Sequence, residues 1–176
     1  MTGAPASDAS GPPRVSECRS TRSWYRSAVS DPATHAFPPL VAFMPHRAPM
    51  LLLDALVAHA PEEAVCEKTF GPADLFVKDG VVSGFVALEL FAQAAAAHFG
   101  YVGLTAGGKA TSGALLGTRK IELFVPTFAV GEKLTIRVKQ VMAMPPAAQF
   151  DCTLHGPDGT LLAEGVISVA VGVEAP

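Results

Sequence analysis

The chain has 176 residues, 49% of them hydrophobic, with 13 Lys and Arg against 16 Asp and Glu and a formal net charge of −3. That length suffices for one domain with a sizeable core, and the acidic balance (pI ≈ 5.9) argues against a nucleic-acid binder, which would carry a basic face. Three cysteines, Cys18, Cys66 and Cys152, with no CxxC spacing, indicate neither a zinc site nor a disulfide framework and fit a reducing, cytoplasmic setting.

Residues 1–36 are rich in Ser, Pro, Ala, Gly and Arg and lack apolar periodicity. Such a segment buries too little to offset its ordering entropy, and without a continuous apolar stretch it is not a secretory signal. It is expected to be a disordered extension or an over-extended start, outside the fold. The domain is expected to run over residues 37–173, leaving 174–176 as a C-terminal tail.

Residues 37–44, FPPLVAFM, read as one or two helical turns opened by prolines. PHRAPMLLLD follows at 45–54, with a tight bend between its prolines and a buried strand beginning at Met50 and running to about His59. Pro61, Glu62 and Glu63 turn the chain into a second strand over 64–70. Its two faces are Val65, Glu67 and Thr69, and Cys66, Lys68 and Phe70. Residues 71–82 read as a loop with some extended character and a turn at Lys78-Asp79-Gly80.

Residues 83–100, SGFVALELFAQAAAAHFG, read as one helix, apolar almost all round. A helix without a polar face needs cover on every side. It is shorter than the ~20 apolar residues of a membrane span. Glu89 and Gln93 stand four apart, on one face. A buried carboxylate in mid-helix is costly unless paired or protonated, so Glu89 is the residue that calls for a chemical explanation. His98, nine positions on and hence ~900° round at ~100° per residue, falls on the other side and is expected to pack or reach a strand.

A glycine-rich connector at 103–113 precedes a long strand over 114–125, kinked at Gly117. Residues 133–141 alternate, with Leu134, Ile136 and Val138 inward. Residues 149–155 do the same with Phe150, Cys152 and Leu154. Gly156-Pro157-Asp158-Gly159 is a hairpin signal, and 161–171 is the last strand. Two strands, a helix and four strands make an antiparallel α+β domain.

PHRAPMLLLD, then ALELFAQAAA, then LLGTRKIELFVPTFAVGEKLTIRV together resemble the β-hydroxyacyl-acyl-carrier-protein dehydratases of the hotdog fold. FVKDG at 76–80 and the E-x-x-A-Q of Glu89 to Gln93 resemble the subgroup of aryl-polyene-type pathways. The resemblance covers 37–173. It implies an antiparallel sheet wrapped around one long central helix, and a homodimer or a heterodimer with another hotdog subunit. It implies a carbon–oxygen lyase that removes water from a 3-hydroxyacyl thioester to give the trans-2-enoyl thioester, in fatty-acid or polyene synthesis. The partner is an acyl carrier protein whose phosphopantetheine arm carries the substrate. No other cofactor, metal, nucleic acid or membrane span is implied.

Such a dehydration needs a base for the C2 proton, an acid for the leaving 3-hydroxyl and a donor to the thioester carbonyl. In the related dehydratases a His and a helix carboxylate from different subunits move the protons, and a backbone N–H at the helix start polarises the carbonyl. Glu89 matches the carboxylate, and burial would hold it protonated as an acid. The structural alternative is a Glu bonded to a strand or to Gln93. Gly84 matches the carbonyl contact through a free N–H, or is a plain helix-start glycine. Gln93 and Gly117 complete the expected substrate-side residues, Gln93 orienting Glu89 or simply bonding backbone.

The family's His stands in a G-H-F-P-G segment before the helix, and here that loop reads LFVKDGVVSG with no His. Either another residue replaces the base, a partner subunit supplies it, or the chain is not a catalyst. His46 in the PHR motif is the first replacement, with fixing of the bend by hydrogen bonding as its structural alternative. Asp79 is the second, in what is first of all a turn. His35 lies in the N-terminal extension, and His59 and His155 read as solvated. Lys78, Arg119 and Lys120 are candidates to meet an acidic carrier protein. A non-catalytic acyl-binding hotdog subunit and a hotdog thioesterase are the alternative functions, since fold alone excludes neither.

Overall fold

The computed structural model describes residues 37–108 and 113–172. The extension expected over 1–36 and the tail at 174–176 lie outside the described residues. A 3-10 turn at Leu40–Ala42 opens the chain. It is followed by β1 (Ala55–Ala60), β2 (Glu63–Thr69), β3 (Val77–Lys78), β4 (Val81–Ser83), helix α1 (Val86–Thr105), β5 (Gly113–Leu123), β6 (Thr127–Ala129), β7 (Lys133–Met144), β8 (Ala147–His155) and β9 (Leu161–Val171). A six-stranded sheet has the order β1-β2-β7-β8-β9-β5, and a second sheet has the order β3-β4-β6. Every pairing is antiparallel.

The alternation predicted for the late strands sets the register. Cys66 pairs with Ile136, Ile136 with Leu154, and Leu154 with Ala163. All four side chains are buried, so this row crosses four strands on the face turned to α1. The helix packs against β2, β7, β8, β9 and β5. Leu90 and Phe91 are fully buried, each contributing about 1.5–3 kcal/mol of apolar burial. No helix among the described residues is long and apolar enough to cross a membrane.

Several boundaries differ from the sequence reading. The strand expected from Met50 begins at Ala55, because residues 50–54 spend their backbone and side-chain bonds on the helix and on β2, as described below. The loop expected at 71–82 contains the hairpin β3-β4, whose two-residue turn is Asp79-Gly80, with Val77 opposite Val82. Both turn residues have positive φ, +53° and +77°, the requirement of a type I′ turn. The helix starts at Val86 and runs to Thr105, past the start of the expected glycine-rich connector. Hence Glu89 lies in its first turn, not its middle, and is half-buried. Gly100 lets the early chain pass close, since a Cβ there would collide with the Phe43 carbonyl.

β5 is the edge strand beside β9, and no strand pairs its outer edge among the described residues. The kink expected at Gly117 is present as an irregularity in the β5–β9 register between Leu115 and Gly117. The edge is exposed along most of its length, with Leu115 39% and Leu116 60% accessible.

Candidate active site

The PHRAPMLLLD segment is held at three points. Arg47 donates from Nη1 to the carbonyls of Met44 and His46, both at 2.7 Å. The bend is therefore fixed by Arg47, not by His46 as the sequence alternative had it. His46 is half-buried, and its Nδ1 is buried without a hydrogen-bond partner among the described residues.

Gln93 is the second point. It is fully buried. Its Oε1 accepts from the Leu52 N–H at 2.9 Å, and its Nε2 donates to the Met50 carbonyl at 2.7 Å and to Glu89 Oε1 at 2.8 Å. One amide thus ties the carboxylate to the loop that carries His46.

Asp54 is the third. It accepts from the Thr69 N–H at 2.6 Å and from Lys68 Nζ at 3.3 Å. Lys68, only 8% exposed at its side chain, also reaches Asp74 at 2.6 Å. The Lys68 ammonium, with the Gly71 N–H, holds the Asp74 carboxyl below its ordinary value. The last residue of the motif, strand β2 and the loop before β3 are locked together.

The loop runs antiparallel to α1, from Phe43 beside Gly100 to Met50 and Leu52 on Gln93. A pocket of ≈140 Å³ lies between the helix and the sheet edge. Glu89, Ala92, Ala96 and Phe99 line it from the helix, Gly113 to Leu115 and Val169 to Val171 from β5 and β9, and His46 from the loop. Glu89 and His46, singled out from sequence, therefore share one pocket. Along the loop His46 falls between the two anchors, level with the helix beyond Gln93, whereas Glu89 sits one turn before Gln93.

Gly84, Gly117 and Asp79 do not line this pocket. The Gly84 N–H is not free as expected, because it donates to the Pro126 carbonyl at 2.8 Å. A Cβ on Gly84 would come 2.8 Å from the Val125 carbonyl oxygen, so its smallness lets the chain before the helix press onto residues 125–126. Asp79 is an exposed turn residue. Lys120 is engaged on the sheet with Glu122 and Glu164, at 2.8 and 3.3 Å.

His98 reaches a strand, as expected, and meets a residue read as solvated. Its ring stacks on His59 of β1 with centroids 4.9 Å apart and 22° between planes. His98 is 1% exposed and His59 half-buried. Burial, then the neighbouring His59, pushes the His98 imidazole down to about 4, and burial lowers His59. His155 is likewise half-buried and lowered, by burial and then by Arg137. Burial pushes the Cys66 thiol up to about 12 and raises Cys152 as well, which leaves both as packing residues. Among the described residues no three His, Cys, Asp or Glu side chains converge on a point where a metal ion would bind.

Ala92, Ala96 and Phe99 were not assigned to the site from the sequence, although the spacing from Glu89 by three, seven and ten places them on one helical stripe.

An antiparallel sheet wrapped around one helix, with a carboxylate in the first helical turn opening on an apolar pocket, defines a hotdog-fold protein. The ApeP-like family, described as ApeP dehydratase, matches residues 38–175, and the chain belongs to this family of dehydratases. It is 32% identical over 128 residues to the 3-hydroxyacyl-[acyl-carrier-protein] dehydratase FabZ of Psychrobacter arcticus, covering 66% of this chain and 83% of that protein. It is similar to the solved dehydratase heterocomplex ApeI:P from Xenorhabdus doucetiae, at a TM-score of 0.73 and 25% identity over 77% of this chain and 91% of that one. A hypothetical thioesterase with coenzyme A from Streptococcus pneumoniae, at a TM-score of 0.52 and 15% identity over 68% of this chain and 87% of that one, shares the fold alone.

Proposed function

We propose that this chain is the carboxylate-bearing subunit of a 3-hydroxyacyl-acyl-carrier-protein dehydratase, acting with a second hotdog subunit that supplies the histidine. The observation that carries this reading is the placement of Glu89. It opens on the pocket from the first turn of α1, fixed by Gln93, while the loop that bears the histidine in related dehydratases is here a tight hairpin ending in Asp79-Gly80.

In the reaction, the partner's base removes the C2 proton of the 3-hydroxyacyl thioester. The electron pair forms the C2–C3 double bond, the C3–O bond breaks, and Glu89 gives its proton to the departing hydroxyl as water. Neither metal nor redox cofactor takes part in these steps, and the acyl group arrives on the phosphopantetheine arm of the carrier protein. The outer edge of β5, unpaired among the described residues and with Leu115 and Leu116 exposed, supports assembly with another sheet, since such an edge is otherwise a template for uncontrolled pairing. A cytoplasmic location suits a substrate held on a carrier protein.

One observation favours a second reading, in which His46 is the base within this chain: it lines the same pocket and its buried Nδ1 has no partner among the described residues. The test is a dehydration assay on a 3-hydroxyacyl carrier-protein thioester, reading the enoyl product by mass. Wild type, Glu89→Gln and His46→Ala are each assayed alone and with a candidate hotdog partner. Activity that needs the partner, is lost in Glu89→Gln and survives His46→Ala is the expected result. Activity of wild type alone, lost in both variants, would assign the base to His46. Full activity of the complex with Glu89→Gln would end the catalytic reading of this chain.

A further inference from the structure

The pocket that Glu89 opens on has a definite far end. Ala92 and Ala96 line it along the helix, and Phe99 is the first bulky side chain after Glu89 on that stripe. Ten residues of helix separate Glu89 from Phe99, ~15 Å along the axis at ~1.5 Å per residue. The Phe99 ring is not free to swing. It lies edge-on to Phe150, with centroids 5.4 Å apart, and to His98 at 5.3 Å. Phe150 and His98 are themselves buried at 0% and 1% exposure. Behind Phe99, therefore, stand Phe150 and the His98–His59 stack.

We infer that Phe99 is the stop that limits the length of acyl chain this subunit accepts, with the small side chains of Ala92 and Ala96 keeping the pocket open up to it. The inference rests on the proposal that the pocket takes an acyl chain. A volume of ≈140 Å³ is close to the ~150 Å³ that holds one benzene, so it takes a unit of about six carbons. Truncating Phe99 extends the space toward Phe150. Enlarging Ala96 closes it nearer to Glu89.

The experiment compares wild type, Phe99→Ala, Phe99→Leu and Ala96→Leu, each shown to melt cooperatively. In one arm, saturated acyl-pantetheine thioethers of four to about sixteen carbons, a range bracketing the length set by the pocket volume, are titrated against the full chain by calorimetry. In the other, the matching 3-hydroxyacyl carrier-protein thioesters are dehydrated by the complex with the hotdog partner. Each protein is scored by its ratio of long-chain to short-chain response. The expected result is a cut-off about four carbons longer in Phe99→Ala, a smaller extension in Phe99→Leu and a shorter cut-off in Ala96→Leu. The same length profile in all folded variants would overturn the inference, and if Phe99→Ala does not fold, Phe99→Leu and Ala96→Leu decide it. Shifted binding profiles with no turnover by any complex would sustain the role of Phe99 and remove the dehydratase proposal. Turnover with an unchanged profile would do the reverse.

Discussion

Gln93 donates from its side-chain amide to Glu89 across one helical turn, at 2.8 Å, while both ends of the same amide bond the backbone of residues 50 and 52. Every bond Gln93 makes is inside the protein, so its replacement is expensive. Gln93→Leu leaves the Met50 carbonyl and the Leu52 N–H without their partner, at about 1–3 kcal/mol for each buried group. The expected result is a loss of about 2–4 kcal/mol in urea unfolding, with reduced turnover by the complex because Glu89 is no longer held. Stability within about 0.5 kcal/mol of wild type, the range of an ordinary surface substitution, would show that the loop is anchored elsewhere.

Glu89→Gln separates chemistry from structure. The substituted amide oxygen still accepts from Gln93, so the melting behaviour is expected to stay near that of wild type. Loss of the transferable proton is expected to lower dehydration by the complex about 10²–10⁴-fold. Single-turnover rates of the two complexes check this. A fall of less than about tenfold, which corresponds to ~1.4 kcal/mol of barrier, would reduce Glu89 to a hydrogen-bonding residue.

The stacked His59–His98 pair gives stability a pH dependence. With a folded value near 4 against an ordinary 6.5, His98 binds its proton more readily in the unfolded chain. Stability is therefore highest above pH 6.5 and declines as pH falls toward 4, by up to ~1.4 kcal/mol per pH unit for one such group. His59 is shifted in the same direction. Urea unfolding of wild type and His98→Leu between about pH 4.5 and 7.5 should give a flatter curve for the variant. Parallel curves would remove His98 as the cause.

Lys68 is expected to be a fastener of moderate strength. Its ammonium is buried, but Asp54 and Asp74 are 47% and 37% exposed, so water compensates the carboxylates when the cation goes. Lys68→Met should therefore cost about 1–2 kcal/mol, below the 3–5 of a fully buried pair. Asp74 titrates below its ordinary value in the folded chain. Its contribution is present above the unfolded value of 3.8 and fades as pH falls through the folded one. In Lys68→Met the Asp74 carboxyl should titrate higher, which carboxylate NMR reads directly.

The late strands were legible because one of their faces meets the helix. Leu134, Ile136 and Val138, and then Phe150, Cys152 and Leu154, alternate in the sequence as they do in the sheet. Glu89 and Gln93 were legible as a pair from their spacing of four. Residues 50–54 misled because Leu51, Leu52 and Leu53 form an apolar run that strand and buried loop share. What decides between the two is the distant Gln93, which captures the backbone bonds a strand would have used. The N–H of Gly84 misled for a similar reason, since its acceptor lies at Pro126, some forty residues on. The pairing of His98 with His59 is a tertiary fact of the same kind.

The grip of Gln93 on its loop also bears on how freely this segment tolerates change. Both of its contacts there are with main-chain atoms, the Met50 carbonyl and the Leu52 N–H. Any residue with a carbonyl at position 50 and any but proline at position 52 presents the same two atoms. The exposed Met50 side chain is thus at liberty to be re-lettered while the carboxylate of Glu89 keeps its aim, whereas Leu52, at 2% exposure, is bound to the core by its side chain.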